Sequence, residues 1–314
     1  MKTVAIVTDT TACIPPELVA KYGIEVIPVQ LIIEGKTYRD GIDITPTEFY
    51  SLLRRVKKLP TTSASSPGPY LEAFHRASKN AQSALCLTEP SKFSAMYNSA
   101  SIARTIAEAE LPNFPVEVLD CATAAAGMGL VAIYAARLAE AGRSLAEVVA
   151  ETRRIMSRVH LFAALDTLDY LVKGGRVPQA TALVNSIFNI KPVFTLNHTG
   201  ARTVALPRSI ASAIKKILKL MTQKVGQGKC LHVMVMHADA LEKAAELRNK
   251  VASQFDCIEV FTTEFTPVMG AHTGPGLVGV AFYGGMSSGQ PNTNVRTEVG
   301  GNLRRQASSC RCHP

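Results

Sequence analysis

The chain has 314 residues, 47% hydrophobic and 19% charged, a balance that builds a folded globule with a sizeable core and excludes a disordered chain. Its formal net charge is +9; residues 287–314 supply +3 of this through Arg296, Arg304, Arg305 and Arg311 against Glu298, which leaves the body near +6. That suits an anionic partner or a transient membrane-surface contact but is too weak to indicate nucleic acid, and the absence of Trp argues against a base-stacking platform.

Residues 4–7 form a short apolar run ending in the polar loop 8–11, the pattern of a buried strand, and Pro15-Pro16-Glu17 starts a helix. Residues 26–33 read as a second strand, turned by Gly35. Thr45-Pro46-Thr47-Glu48 has capping-box spacing and opens another helix. Residues 57–70, rich in Thr, Ser and Pro, read as a loop. Further strands at 84–88 and 116–119 alternate with helices, which predicts a parallel, doubly covered α/β sheet for a first domain, 1–158.

Strands are predicted next at 161–165, 192–196, 203–206, 232–236 and 258–265. Asn197-His198-Thr199-Gly200 joins two of them as a hairpin. Helices read from Pro178 and Pro207. In the second, Ile210, Ile214, Ile217, Leu218 and Met221 mark an apolar face, with Lys215, Lys216 and Lys219 off it. This is the pattern of a mixed α+β domain over 159–286. The Gly/Ser/Asn-rich stretch 287–314 reads as a disordered tail. Its Cys310-Arg311-Cys312-His313 offers a soft metal no fourth ligand. Cys13, Cys86, Cys121, Cys230 and Cys257 sit singly beside apolar segments, as reduced thiols do. With no signal peptide and no apolar run of membrane-spanning length, the expected compartment is cytoplasmic.

His272 lies in the glycine-punctuated loop Ala271-His272-Thr273-Gly274-Pro275-Gly276, just before a strand-like run. An imidazole there can hold or move a proton near neutral pH, or be a turn residue without duty. Residues 61–66 carry five hydroxyls, enough to hold an oxyanion without formal charge, or to make a solvated linker. Ser91, Ser94, Tyr97 and Asn98 follow the strand ending at Thr88, and loops at the carboxyl ends of parallel strands are where open α/β sheets bind ligands. Other motifs are incomplete. Gly127-Met128-Gly129 is not a dinucleotide fingerprint and reads as close helix packing. Gly228-Lys229 is no phosphate loop, and no G-x-S-x-G elbow exists. His232 and His237 fall on opposite strand faces, which disfavours a metal pair. Asp166, Asp169, Lys173 and Arg176 around Gly174-Gly175 suggest a helix end with an αL turn.

In order, Val7-Thr8-Asp9-Thr10-Thr11, Val26-Ile27-Pro28-Val29, Tyr38-Arg39-Asp40-Gly41-Ile42-Asp43, Thr62-Ser63, Tyr97-Asn98-Ser99-Ala100, the segment from Leu168 to Arg176, Ile190-Lys191-Pro192 and the His272 loop resemble the DegV family of bacterial fatty-acid-binding proteins. The resemblance runs from Val4 to about Tyr283. It implies two domains, with one long-chain fatty acid in the first and its carboxylate at the domain junction, presented to a partner acyl kinase for phosphorylation. The chain would then be a lipid carrier without a cofactor and not itself an enzyme. By the same resemblance the head-group ligands are Thr62, Ser94 and His272, with Ser63 and Ser91 beside them; Arg208 and Arg176 face the kinase. The chain departs from the family pattern at Ala64-Ser65-Ser66, which lacks the usual Gln-Pro, and at Pro90, Ala95 and Met96, which replace Ser, Gly and Thr. The rival reading is an acyl-transfer or hydrolytic enzyme using Ser94 or Thr62 with His272, which needs a group orienting the imidazole and an oxyanion hole.

Overall fold

The structure is a computed structural model that describes residues 1–175, 190–197, 200–225 and 230–285. The helix expected from Pro178, the hairpin residues His198 and Thr199, Arg176 and the 287–314 tail with Cys310 and Cys312 lie outside the described residues.

In chain order the first half comprises β1 (Ala5–Asp9), α1 (Pro16–Tyr22), β2 (Glu25–Ile27), β3 (Gln30–Ile33), β4 (Lys36–Arg39), α2 (Pro46–Leu53), β5 (Thr61–Ser63), α3 (Pro67–Ser78), β6 (Ala84–Thr88), α4 (Met96–Glu110), β7 (Val116–Asp120), α5 (Ala125–Glu140) and α6 (Leu145–Met156). The second half comprises β8 (His160–Ala164), α7 (Asp169–Gly174), β9 (Val193–Asn197), β10 (Gly200–Ala205), α8 (Ile210–Lys224), β11 (Leu231–His237), α9 (Leu241–Gln254), β12 (Cys257–Glu264), α10 (Pro267–Thr273) and β13 (Val278–Gly284).

Strands β2-β1-β6-β7 form the expected parallel sheet. Its central strands β1 and β6 are buried throughout, as a sheet covered on both faces requires. A six-stranded mixed sheet, β10-β9-β8-β13-β11-β12, follows, and β4-β3-β5 make a small antiparallel sheet.

Three expectations are corrected. The run 26–33 is two strands in different sheets, because Pro28 cannot donate to a continuing ladder. Residues 57–70 include β5, paired with β3, and the start of α3 at Pro67, so they are not a free loop. The helix read from Pro207 begins at Ile210, where Ser209 Oγ accepts the Ser212 N–H at 3.2 Å. The Thr45–Glu48 capping box is present as expected.

Alternation along the central strands divides the core. Leu161, Ala163, Met234, Met236, Ala281 and Tyr283 face α5, whereas Phe162, Ala164, Val233, Val235, Val280 and Phe282 face α8 and α9. Helix α5 is buried on nearly every side and packs on both large sheets. Gly129 permits this: a Cβ there would stand 2.7 Å from the Ala12 carbonyl oxygen.

A polar network ties α5 to the six-stranded sheet. Arg137 donates to both carboxylate oxygens of Glu259 at 2.6 Å and to Tyr22 Oη at 2.9 Å. His232 Nδ1 lies 2.6 Å from Glu259 Oε1 and its ring stacks on Tyr283 at 4.6 Å. Burial would raise the Glu259 carboxyl, but the bonds from His232 and Arg137 win and bring it down to about 2. As an ionised acceptor, Glu259 requires the His232 proton on Nδ1. Glu259→Ala strands the Arg137 charge and is expected to lower stability by about 3 kcal/mol. Arg137→Met/Glu259→Met should recover most of that loss. Urea unfolding of both variants checks the pair.

Candidate functional site

His272 does not sit in a loop, as the glycine spacing suggested, but in the last turn of α10. That helix starts at Pro267, whose fixed φ suits a first turn, and ends at Gly274 with φ +70°. Its Thr266 N-cap donates to the Thr10 carbonyl at 3.3 Å, anchoring it to the end of β1. Thr62 is the middle residue of β5 and pairs with Leu31 of β3. Across 210 residues of sequence, Thr62 Oγ1 and His272 Nε2 meet at 2.9 Å. The other side of the ring faces the end of α7, where a Cβ on Gly174 would lie 2.9 Å from His272 Nδ1. Glycine there lets the imidazole approach the backbone. The αL turn expected beside it is present at Gly175, with φ +67°.

The second hydroxyl loop is stitched to the first through sulfur. The Met96 N–H donates to Ser94 Oγ at 3.3 Å, and the Met96 thioether accepts the Ser65 N–H at 3.2 Å. Ser65 Oγ in turn donates to the Pro28 carbonyl at 2.6 Å. Ser94 therefore stands just before α4, two residues from Met96, the strut that reaches the Thr62 segment. Ser63 follows Thr62 on β5, so its side chain points to the other face, is exposed and donates to the Ala64 carbonyl. Ser91 donates its N–H and Oγ–H to Asp120 Oδ2 at 3.1 and 2.6 Å, closing the end of β7. Arg208 is exposed, two residues before α8.

Two acidic residues in this neighbourhood were not singled out from the sequence. Asp9 is fully buried, and its Oδ1 accepts both the N–H and the hydroxyl of Thr11. Asp40 is equally buried and stands against Thr10, Thr266 and the Val268 amide, with neither oxygen in a well-aligned bond. Burial pushes each carboxyl up to about 6, against the pull of the neighbouring hydroxyls and amides, and the nearby Asp9 makes Asp40 harder still to ionise. The signal was present in Thr8-Asp9-Thr10 and Arg39-Asp40-Gly41: an acid flanked by hydroxyls or by a turn beside an apolar strand. Among the described residues no cluster suited to a metal ion occurs.

The interior near these loops is closely packed. Leu31, Tyr70, Phe74, Leu87, Met96 and Met128 are fully buried. Two shallow surface depressions lie elsewhere, one beside Met1, Ala81 and Phe114, the other along α8.

The acids predict a pH response. A carboxyl whose folded pKa is raised favours the fold below its unfolded value near 4, and that contribution is lost as pH rises through about 6. Asp40→Asn is expected to flatten the fall in melting temperature between pH 4 and pH 7. An unchanged slope in thermal melts would show that Asp40 ionises freely.

Residues 3–284 match the family model described as an uncharacterised protein of the DegV family. A DegV domain-containing protein from Caldanaerobacter subterraneus subsp. tengcongensis is 33% identical over 282 residues, 90% of this chain and 99% of that one. Among solved structures, a DegV family protein from Thermus thermophilus, described by its fatty acid binding, superposes with a TM-score of 0.83 at 31% identity, covering 90% of this chain and 100% of that one. DegV from Bacillus subtilis, described as a fatty acid binding protein, gives 0.81 at 26% identity, covering 91% of this chain and 100% of its own. The match from end to end of the described fold places this chain in the DegV family.

Proposed function

We propose that the chain is a carrier for a long-chain fatty acid, holding its carboxylate at Thr62 and His272 with Ser94 close by, and presenting it to a partner acyl kinase. The observation that supports this reading best is the 2.9 Å contact between Thr62 and His272, which joins a strand of the small β4-β3-β5 sheet to the helix between β12 and β13 of the six-stranded sheet. The Thermus thermophilus and Bacillus subtilis relatives described as binding fatty acids point the same way.

The energetics suit a carrier. An acyl chain of about sixteen carbons holds about fourteen methylenes, and burying each at about 0.8 kcal/mol contributes on the order of 10 kcal/mol gross. The tail alone can therefore retain the ligand, and the head needs only orientation. A hydroxyl and an imidazole supply bonds of about 0.5–1.5 kcal/mol each, somewhat more to a charged group. A bidentate guanidinium would grip both oxygens. Hydroxyl and imidazole instead leave one oxygen free to attack the terminal phosphorus of a nucleoside triphosphate brought by the kinase, breaking its bridging P–O bond to give the acyl phosphate and release the nucleoside diphosphate. Arg208, exposed before α8, and Arg176 are the proposed kinase-facing cations. The carrier needs no cofactor and works in the cytoplasm; among the described residues no helix is long and apolar enough to cross a membrane. Entry of the tail requires the packed interior to yield, and the thioethers of Met96, Met128 and Met234 are the side chains best able to repack.

Denaturing mass spectrometry of the purified protein should release a stoichiometric long-chain fatty acid. Absence of any lipid, together with no gain in melting temperature on adding one, would sink the carrier reading. His272→Ala and Thr62→Val are expected to weaken lipid retention by about two- to tenfold, the worth of one such hydrogen bond, and to slow phosphorylation by an acyl kinase by more than that. Normal phosphorylation of His272→Ala would remove that residue from the head-group site.

A further inference from the structure

The net charge of the chain is not spread over it. Residues 1–200 and 257–286 hold twenty basic and twenty acidic residues and are neutral together; residues 201–256 hold ten basic against four acidic. All the charge of the body read from composition is therefore in one stretch of 56 residues, which folds as β10, α8, β11 and α9. Within it, α8 is the extreme case. Its sequence, IASAIKKILKLMTQK, has four lysines and no acid.

The burial pattern of α8 decides where those lysines go. Ala213, Ile214, Ile217, Leu218 and Met221 are buried against the outer face of the six-stranded sheet, opposite α5. Lys215, Lys219 and Lys224 are exposed, with Lys216 on the flank. Arg208 precedes the helix, and Arg202 on β10 is exposed beside it in sequence. Among the described residues none of these six cations lies within ion-pair distance of a carboxylate. The lysines of the adjoining α9 differ: Lys243 reaches toward Asp166 and Lys250 pairs with Glu246.

We infer that the exposed face of α8 is a docking surface for an anionic lipid bilayer. An amphipathic helix with four lysines unpaired among the described residues, Lys215 and Lys219 on its outer face, Lys216 on the flank and Lys224 at its end, has the composition that anionic lipid surfaces attract, each cation near the surface adding roughly fivefold to partitioning. Lysine, a hydrated point charge on a flexible stem, suits a diffuse fluid surface, whereas the buried cores of protein interfaces are depleted in lysine and enriched in aromatics and arginine. The exposed positions of α8 contain no aromatic residue on which a nucleic-acid base could stack. The surface lies on the side of the sheet facing away from α5, so docking leaves the contact between Thr62 and His272 intact. It stands on the charge pattern alone and does not depend on the carrier reading.

Co-sedimentation of the full chain with vesicles tests it. Binding is expected to vesicles of phosphatidylcholine mixed with phosphatidylglycerol, not to phosphatidylcholine alone, and to weaken as salt rises. Lys215→Gln/Lys219→Gln should lower partitioning about 25-fold. Lys36→Gln/Lys79→Gln, with the same loss of charge at exposed sites elsewhere, should lower it less than threefold. No preference for anionic vesicles, equal losses from the two double variants, or binding confined to a duplex oligonucleotide would each overturn the inference. Lipid released from the same protein samples is read separately by mass spectrometry, so this test and that of the carrier fail independently.

Discussion

The contact between Thr62 and His272 is the constraint around which the rest of the chain is arranged. Neither residue belongs to a large sheet. Thr62 rides on a three-residue strand that exists because β3 supplies its ladder. His272 rides on a seven-residue helix, too short to be stable alone. That helix is an excursion between β12 and β13 of the six-stranded sheet, yet it packs on α2, α7, β3 and β5. Its placement requires the two large sheets to keep a fixed relation. Helix α5 supplies the apolar part of that relation and Arg137–Glu259 the directional part. Thr263 adds a further tie by donating to the Cys13 carbonyl. A hydrogen bond between two side chains tolerates only a few tenths of an ångström of error, so the inter-sheet packing fixes the geometry of the site.

Much of this was legible in the sequence, and the failures share a cause. Strand runs such as 84–88 and 161–165 announced themselves because burial of a strand leaves a local apolar signature. The capping box at Thr45 was legible because both of its halves lie within four residues. What could not be read were features decided by distant partners. Residues 26–33 are one apolar run, and only the divergence of two sheets at Pro28 makes them two strands. Residues 61–63 carry no strand signature at all; they are a strand because Leu31 and its neighbours offer free backbone groups. His272 looked like a loop residue because glycines surround it, while the helix beneath it is stabilised by tertiary contacts. The family resemblance had nominated Thr62 and His272, but no spacing of residues could show that they touch.

Asp9 and Asp40 illustrate the opposite difficulty. Aspartate before a turn is ordinarily a solvated or capping residue, so the hydroxyls flanking Asp9 and the turn after Asp40 read first as local capping and not as burial. Asp40 is covered where α10 closes over the end of β1, with Thr266 against Thr10, whereas Asp9, the last residue of β1, is enclosed beside Thr11. Two acids placed where ionisation is costly give up stability near neutral pH, and proteins accept such losses where a site needs them. Asp40 lies against the helix that presents His272, which links its protonation to that helix's seating: ionising it puts charge beside Thr10 and Thr266, the residues that anchor the helix.

The charge pattern adds a second level of organisation. Hydrophobic alternation along β8, β11 and β13 divides the six-stranded sheet into an inner face, which packs on α5 and faces the site, and an outer face covered by α8 and α9. Nothing in that alternation demands that cations collect outside. A helix can satisfy its amphipathic pattern with Glu and Lys in equal measure, and mixed-sign pairs at i, i+4 would stabilise it by a few tenths of a kcal/mol each. Helix α9 does this with Glu246 and Lys250. Helix α8 forgoes it and sets Lys215 and Lys219 at like-charge i, i+4 spacing, which costs a similar amount. An arrangement that is locally unfavourable in the isolated fold, while its neighbour on the same sheet has the favourable one, is best explained by a use outside the fold.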